Sequence, residues 1–149
     1  LVFFPLFLVK IRLLSDGLEW LLLFLFLNWA MDTGAYFAGR SFGKTRLYPS
    51  VSPGKTWEGL LGGLILAVGV SYLIRYFWLP QIPPPAMFAL AVVVGIVSQL
   101  GDLCESLLKR CSGKKDSGGL LPGHGGFLDR FDGAVLSLPV MYWCVKLIL

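Results

Sequence analysis

The chain has 149 residues, of which 56% are hydrophobic and 15% charged. Soluble domains carry about 25% charged residues, and the apolar residues here form blocks long enough to cross a bilayer. A soluble fold is therefore excluded. The formal net charge of +4 favours anionic lipid headgroups or phosphorylated substrates as partners, and nucleic acid is not expected without a soluble basic face.

The apolar blocks predict an all-α fold, a polytopic bundle of transmembrane helices that forms a single transmembrane domain over residues 1–149. Leu1–Val9 is too short to cross about 30 Å of hydrocarbon and is interpreted as a partial N-terminal span. Four full spans are predicted after it, at Leu18–Ala38, Gly59–Leu79, Ala86–Leu108 and from Gly126 to the C-terminus. Small residues such as Gly62, Gly63 and Gly69 are expected to permit close helix contact.

The connections between the spans differ strongly in charge. Nine of the 13 basic residues lie in two loops, 39–58 and 109–132, which are separated by two spans and so lie on one side. The positive-inside rule makes these two basic loops cytoplasmic, although Lys10 and Arg12 fall on the other side. The connection at 78–85 is short, rich in proline and uncharged. We expect a multi-pass protein of the cytoplasmic (inner or plasma) membrane whose active site faces the cytoplasm.

Asp32 lies toward the end of the first full span, with Tyr36 one helical turn later. A charged residue at membrane depth is costly and is a functional hypothesis by default. Asn28, four residues earlier, lies on the same helical face. A structural polar cluster is therefore as plausible here as a catalytic role.

The first basic loop places lysines and hydroxyls directly before the second span. Ser52, Lys55, Thr56 and Glu58, together with Lys44, suit a phosphate group. A Ser or Thr helix cap with Glu58 as its capping partner, and lysines placed by the positive-inside rule, are the structural alternatives. A P-loop is rejected because its first glycine is missing and no strand is predicted before it.

Carboxylates recur at i, i+3 spacing near two predicted helix ends. Asp102, Glu105 and Lys109 share one face at the end of the third span, and Asp129 and Asp132 begin the fourth. One interpretation is ion pairing between helices. The other is a site for a hard cation such as Mg²⁺, which takes oxygen ligands and keeps waters and substrate phosphates in its shell.

The segment between these carboxylates is rich in glycine. Lys115, Asp116, His124, Gly125 and Gly126 lie just before a predicted helix start, where backbone N–H groups and the helix dipole can hold phosphate. An ordinary glycine-rich linker with a surface histidine is the alternative.

Several of these stretches together resemble the signature of phosphatidate cytidylyltransferases, also called CDP-diacylglycerol synthases. The matching stretches are Asp32–Gly39 with Phe42–Lys44, Ser52–Gly59, Gly101–Arg110, Lys115-Asp116, Pro122 and His124–Asp132. Family members carry further N-terminal spans, so we expect this chain to be the C-terminal, motif-bearing half.

The resemblance implies transfer of CMP from CTP to phosphatidic acid, which gives CDP-diacylglycerol and pyrophosphate. It implies Mg²⁺ as cofactor, with room for a second cation such as K⁺, and membrane lipids as surroundings; a homodimer is left open. Mg²⁺ is assigned to Asp102, Asp129 and Asp132. Neutralisation of the triphosphate is assigned to Lys109, Lys115, His124 and Arg130. Substrate binding is assigned to Ser52, Lys55, Thr56, Lys44, Asp116, Gly125, Gly126, Asp32 and Tyr36, with Glu58 orienting Lys55.

The sequence leaves three alternatives to this function. A cytidylyltransferase for another lipid phosphate, with ether or isoprenoid tails, would use the same polar residues. An ion-conducting protein should carry acids along the depth of the bundle, whereas the acids here are expected on one side and absent from the proline-rich side. An inactive fragment that keeps only the motifs is the third alternative.

Overall fold

The computed structural model describes residues 3–111 and 132–149, which form a helical bundle with one small β-hairpin. The helices are α1 (Phe3–Arg12), α2 (Gly17–Phe42), α3 (Trp57–Trp78), α4 (Pro84–Cys111) and α5 (Asp132–Ile148), and the strands are β1 (Arg46–Tyr48) and β2 (Ser52–Thr56). Helices α2, α3 and α4 are long and apolar enough to cross a membrane. This confirms the prediction of a polytopic helical protein.

Three of the four predicted full spans correspond to these long helices. The fourth, α5, has 17 residues, and a helix of that length is about 25 Å long, less than the hydrocarbon core of about 30 Å. Residues 126–131, where this span was predicted to begin, lie outside the described residues. Helix α1 has 10 residues and is too short to cross a bilayer, as predicted for the partial N-terminal span.

The first basic loop contains a β-hairpin, so the all-α prediction was wrong there. Strands β1 and β2 pair antiparallel, with Tyr48 opposite Ser52. The turn is closed by a hydrogen bond from Val51 N–H to Tyr48 O of 3.2 Å, and Pro49 takes the second turn position, which its fixed φ favours. Strands of three and five residues are too short to produce a recognisable alternating pattern.

Helices α2 and α3 pack along a row of small residues. A Cβ atom on Gly34 would lie 2.6 Å from Gly62 O and 2.9 Å from Gly63 Cα, and one on Gly62 would overlap the Cβ of Ala38. The two backbones can approach because these side chains are small, which confirms the prediction for Gly62 and Gly63. The prediction for Gly69 was wrong, since a Cβ there meets nothing within 4 Å.

The long helices alternate in direction. Gly63 of α3 lies against Met31 of α2, and the α3–α4 connection is tight, with Tyr72 Oη donating to Pro84 O at 3.3 Å. Helices α2 and α4 therefore run parallel, and α3 runs antiparallel to both. The core between the helices consists of Trp20, Leu23, Leu27 and Met31 of α2, Met87, Leu90 and Val94 of α4, and Leu138, Met141 and Val145 of α5.

The α3–α4 connection lies at the end of the bundle where α2 begins. Leu79 and Ile82 are buried in it, and Arg75 Nε donates to Ile82 O at 2.6 Å. Gln81 Nε2 donates to Asp16 Oδ2 at 2.8 Å. The prediction that no acid lies on this proline-rich side was therefore wrong. Asp16 lies in the α1–α2 turn, directly before α2, and α2 begins at this end of the bundle.

Candidate active site

A polar cleft opens at the opposite end of the bundle, where α2 and α4 end and where β2 leads into α3. Its volume is about 190 Å³. The residues that line it are Asp32, Ala35 and Tyr36 of α2, Gly54, Lys55 and Thr56 of β2, Gly59 and Leu60 of α3, and Gln99 and Asp102 of α4. Five residues predicted from the sequence thus meet here, namely Asp32, Tyr36, Lys55, Thr56 and Asp102.

The two cleft carboxylates stand on parallel helices at matching heights. Ser98 Oγ of α4 donates to Asn28 Oδ1 of α2 at 2.7 Å, and Asn28 Nδ2 donates to Phe24 O at 2.8 Å. One helical turn further along each helix come Asp32 and Asp102, because both lie at i+4 from this pair. Asn28 thus forms a polar pair with Ser98 one helical turn below the cleft, whereas the alternative considered from the sequence joined Asn28 with Asp32.

Lys55 reaches into the cleft from the hairpin and forms an ion pair with Asp102 Oδ2. The Lys55 side chain is 18% exposed and that of Asp102 is 28% exposed, so solvent screens this pair only in part. The other oxygen of Asp102 accepts a hydrogen bond from Ser106 Oγ at 3.4 Å. Asp32 is close enough to interact electrostatically with the Lys55 ammonium and the Asp102 carboxylate.

The start of α3 fixes the hairpin on the bundle. Thr56 is the N-cap of α3, and its Oγ1 accepts from Gly59 N–H at 3.1 Å, which confirms the predicted Thr cap. Glu58 does not act as its capping partner. The Glu58 carboxylate accepts from Thr45 N–H at 3.1 and 3.3 Å, and the expected contact with Lys55 is replaced by the Lys55–Asp102 pair.

Other predicted residues lie near this end of the bundle without lining the cleft. Lys109 Nζ is 3.3 Å from Glu105 Oε1 on the same helix, an ion pair within α4 where pairing between helices was considered. Ser52 begins β2, and Lys44 is exposed just after α2. Unlike these residues, Tyr36 does line the cleft, and its Oη accepts from Arg40 Nη1 at 2.7 Å.

The remaining predicted site residues lie outside the described residues. They are Lys115, Asp116, His124, Gly125, Gly126, Asp129 and Arg130, and the side chain of Asp132 belongs with them. The start of α5 is described, and it lies close to α4: a Cβ on Gly133 would lie 2.8 Å from Ser98 O. Gly133, the residue after Asp132, thus packs against Ser98, which lies one helical turn before Asp102; the convergence of Asp102, Asp129 and Asp132 stays a prediction.

Gln99 is a cleft residue that the sequence reasoning missed. It is only 8% exposed and lies one helical turn before Asp102 on the cleft side of α4. Its amide offers both a donor and an acceptor. The available signal was its i, i+3 spacing to Asp102 together with the cost of a polar side chain inside an apolar span.

The donor chemistry of the cleft fits a magnesium ion. Within residues 3–111 and 132–149, no group of three or more His, Cys, Asp or Glu residues could hold a metal ion. Mg²⁺ is usually bound through one or two carboxylates, with substrate phosphates and waters completing its shell. Asp32 and Asp102 supply two carboxylates to the cleft, and the amide oxygen of Gln99 is a further oxygen donor.

A family model described as "Cytidylyltransferase family" matches residues 1–148. The chain belongs to this family. Among curated relatives, it is 41% identical to the phosphatidate cytidylyltransferase of Bacillus subtilis over 142 residues, which are 93% of this chain and 52% of that protein. It is 48% identical to that of Haemophilus influenzae over 127 residues, 83% of this chain and 44% of that protein.

A third curated relative gives similar coverage. The phosphatidate cytidylyltransferase of Staphylococcus haemolyticus is 45% identical over 127 residues, 85% of this chain and 49% of that protein. The chain thus spans about half the length of the curated relatives it matches.

Proposed function

We propose that this chain carries the cleft of a phosphatidate cytidylyltransferase, which transfers CMP from CTP to phosphatidic acid and releases pyrophosphate. The observation that carries the proposal is the meeting of Asp32, Lys55 and Asp102 in one polar cleft at the end of an apolar bundle. Family membership supports the reaction class, and the printed names of the relatives support the two substrates.

The chemistry requires neutralisation of charge more than a strong base. A phosphomonoester has a second pKa of about 6, so the phosphate of phosphatidic acid is largely ionised at neutral pH and can attack the α-phosphorus of CTP. Both substrates are polyanions and repel each other. Cationic groups must therefore hold them in line and stabilise the charge on the departing pyrophosphate.

The residues divide this work between carboxylates and cations. Asp102, with Asp129 and Asp132, would hold Mg²⁺, which when bound supplies a Lewis acid for the reacting phosphates; the shared site leaves room for a second cation such as K⁺. Lys55 would contact substrate phosphate from the hairpin. Lys109, Lys115, His124 and Arg130 would neutralise the triphosphate and the leaving pyrophosphate.

The membrane geometry suits a lipid substrate. Helices α2, α3 and α4 can cross a membrane, and the cleft lies at one end of them, so the lipid tails can stay among the apolar helices while the headgroup enters the cleft. The first basic loop is at this end, where α4 also ends and α5 begins, and by the positive-inside rule we infer that this end faces the cytoplasm. We therefore infer a protein of the cytoplasmic membrane that meets CTP from the cytoplasmic side.

Ion conduction is disfavoured by the distribution of charges along the described helices. Asp16 and Glu19 lie at the proline-rich end, and Asp32 and Asp102 lie at the cleft end. Between Glu19 and Asp32 on α2, and from Pro84 to Gln99 on α4, the sequence has no charged residue. A continuous path of acids across the bundle is thus lacking in these helices.

The test is a transfer assay with the protein in lipid nanodiscs, using CTP and a panel of lipid phosphates with ester, ether and isoprenoid tails. We expect CDP-diacylglycerol from phosphatidic acid, loss of the product when Mg²⁺ is chelated, and no product from Asp129→Ala protein that is still inserted. Product from an ether lipid phosphate alone would replace the substrate. No consumption of CTP with any lipid would reject the function, and ion flux without CTP turnover would favour the channel.

A further inference from the structure

The ion pair between Lys55 and Asp102 occupies the carboxylate that we assign to the metal. Lys55 Nζ contacts Oδ2 of Asp102 and is shielded from solvent, and Asp32 lies within range of both charges. In the cleft as the structure describes it, the Lys55 ammonium is therefore the cation that balances the two carboxylates.

An ammonium group and a metal ion at the same carboxylate compete electrostatically. Mg²⁺ binds oxygen at about 2.1 Å and an ammonium group hydrogen-bonds to a carboxylate at about 2.8 Å, so the two positive charges would lie about 4 Å apart in a cleft that solvent screens only in part. Metal binding at Asp102 thus favours the departure of Lys55. Lysine has a flexible four-carbon stem, so rotation about side-chain bonds alone can move the Lys55 ammonium group away from Asp102.

We propose that Lys55 pairs with the metal-binding carboxylate when no metal is bound and is exchanged for the cation when it arrives, which frees its ammonium group for substrate phosphate. This inference rests on the proposed function for the identity of the phosphate, but the exchange itself does not require a substrate. Among the described residues of the cleft, Asp32, Asp102 and Lys55 have a formal charge of −1, and a divalent cation raises that sum by two. The exchange therefore makes the cleft more attractive to phosphate.

If Lys55 and the metal compete for Asp102, removing the positive charge of Lys55 should tighten metal binding, because a competitor is lost. We would measure binding of Mn²⁺, in place of Mg²⁺, to the nanodisc-embedded protein by electron paramagnetic resonance, with no nucleotide or lipid phosphate present. Lys55→Gln should bind Mn²⁺ about tenfold more tightly, between the small effect of an exposed pair and the large effect of a buried one.

Two variants control for trivial causes. Arg46→Gln removes a positive charge from the same hairpin at an exposed position of β1 and should change Mn²⁺ affinity less than about twofold, since exposed charges are screened. Lys55→Arg keeps the competing charge and should bind Mn²⁺ as weakly as the wild type. Asp102→Asn should weaken Mn²⁺ binding strongly in every background.

The outcomes separate this inference from the proposed function. Unchanged or weaker Mn²⁺ binding in Lys55→Gln overturns the exchange, and so does equal tightening in Lys55→Arg or Arg46→Gln, even if the wild type makes CDP-diacylglycerol. Tighter binding in Lys55→Gln alone, with no transfer activity in the wild type, supports the exchange and rejects the function. Where both hold, the Lys55→Gln enzyme should need about tenfold less Mg²⁺ for half-maximal rate while its maximal rate falls.

Discussion

The two ends of the bundle use charged side chains in opposite ways. At the proline-rich end, Arg75 donates to the carbonyls of Ile82 at 2.6 Å and Pro80 at 3.4 Å, and Gln81 bonds to Asp16. These groups close the turn, and their partners are the chain's own backbone and a neighbouring turn. The end is therefore complete without a ligand.

At the cleft end, the charged groups face a cavity and depend on each other. Lys55 and Asp102 pair across it, and Asp32 stands beside them. Among the described residues, neither the Lys55 ammonium nor the Asp102 carboxylate bonds to a backbone group. At the proline-rich end, polar side chains bond to main-chain atoms and so support the fold. At the cleft end, the charged side chains pair with each other and can change partners within the cleft, as a ligand site requires.

The largest expected difference in rate is between replacing a carboxylate at the cleft end and replacing one at the proline-rich end. Asp102→Asn should lower CMP transfer about 100-fold or more, because a metal ligand and the partner of Lys55 are lost. Asp16→Asn should change the rate less than about twofold, since the amide oxygen can still accept from Gln81. Equal losses from the two variants would erase the distinction between the ends.

Next in size is the packing that holds the cleft walls together. Gly62→Ala should destabilise the protein by about 1–3 kcal/mol, because the added methyl group overlaps Ala38 across the α2–α3 contact. Gly69→Ala, on the same helix but with open space around it, should be neutral or slightly stabilising. Reversible unfolding in mixed micelles would measure both, and a loss at Gly69 as large as that at Gly62 would contradict the packing described.

Arg75→Met tests the proline-rich end directly. It should cost about 1–3 kcal/mol in the free energy of unfolding, because the buried carbonyl of Ile82 loses its donor. CMP transfer measured at a temperature where the variant stays folded should be unchanged. Arg12→Met, at an exposed position at the end of α1, serves as the control and should leave the unfolding free energy within about 0.5 kcal/mol of the wild type.

The smallest effect is expected at the hydrogen bond below the cleft. Ser98→Ala removes the donor to Asn28, and interhelical hydrogen bonds in membrane proteins contribute about 0.6 kcal/mol on average. Ser71→Ala, which loses a hydrogen bond to Val68 O inside one helix, is the matched variant. A double-mutant cycle with Asn28→Ala would measure the Ser98–Asn28 coupling, and a coupling near zero would show that this bond does not join α2 to α4.

The helices could be predicted from the sequence because their apolar blocks are long. Helices α2 and α4 contain their predicted spans and extend beyond them by a few residues, and α3 begins two residues before its predicted span and ends one residue before the predicted end. The hairpin could not be predicted, since its strands are short and contain Pro53 and Gly54, which strands disfavour. The family motifs named Asp32, Lys55 and Asp102, but their convergence depends on the parallel course of α2 and α4.

The contact expected between Glu58 and Lys55 followed from the family resemblance, and the structure pairs both residues differently. Glu58 lies three residues after Lys55, and such residues face each other only within one continuous helix. Lys55 belongs to β2, and α3 begins at Trp57, so the spacing crosses an element boundary. The Glu58 carboxylate accepts a hydrogen bond from Thr45 N–H, and Lys55 pairs with Asp102, which lies 47 positions further along the chain in α4. Local spacing cannot reveal such a contact between elements.

The Asn28–Ser98 pair has a consequence for the membrane itself. A hydrophilic pocket sunk into a bilayer protein risks leaking protons and ions, which would dissipate the gradients that the cell maintains. Here the polar pair one helical turn below the cleft is hydrogen-bonded, and the buried Leu23, Leu27 and Leu90 belong to the apolar core of the same helices. Among the described residues, this satisfied pair and the apolar core beyond it oppose the passage of water and ions from the cleft toward the other surface.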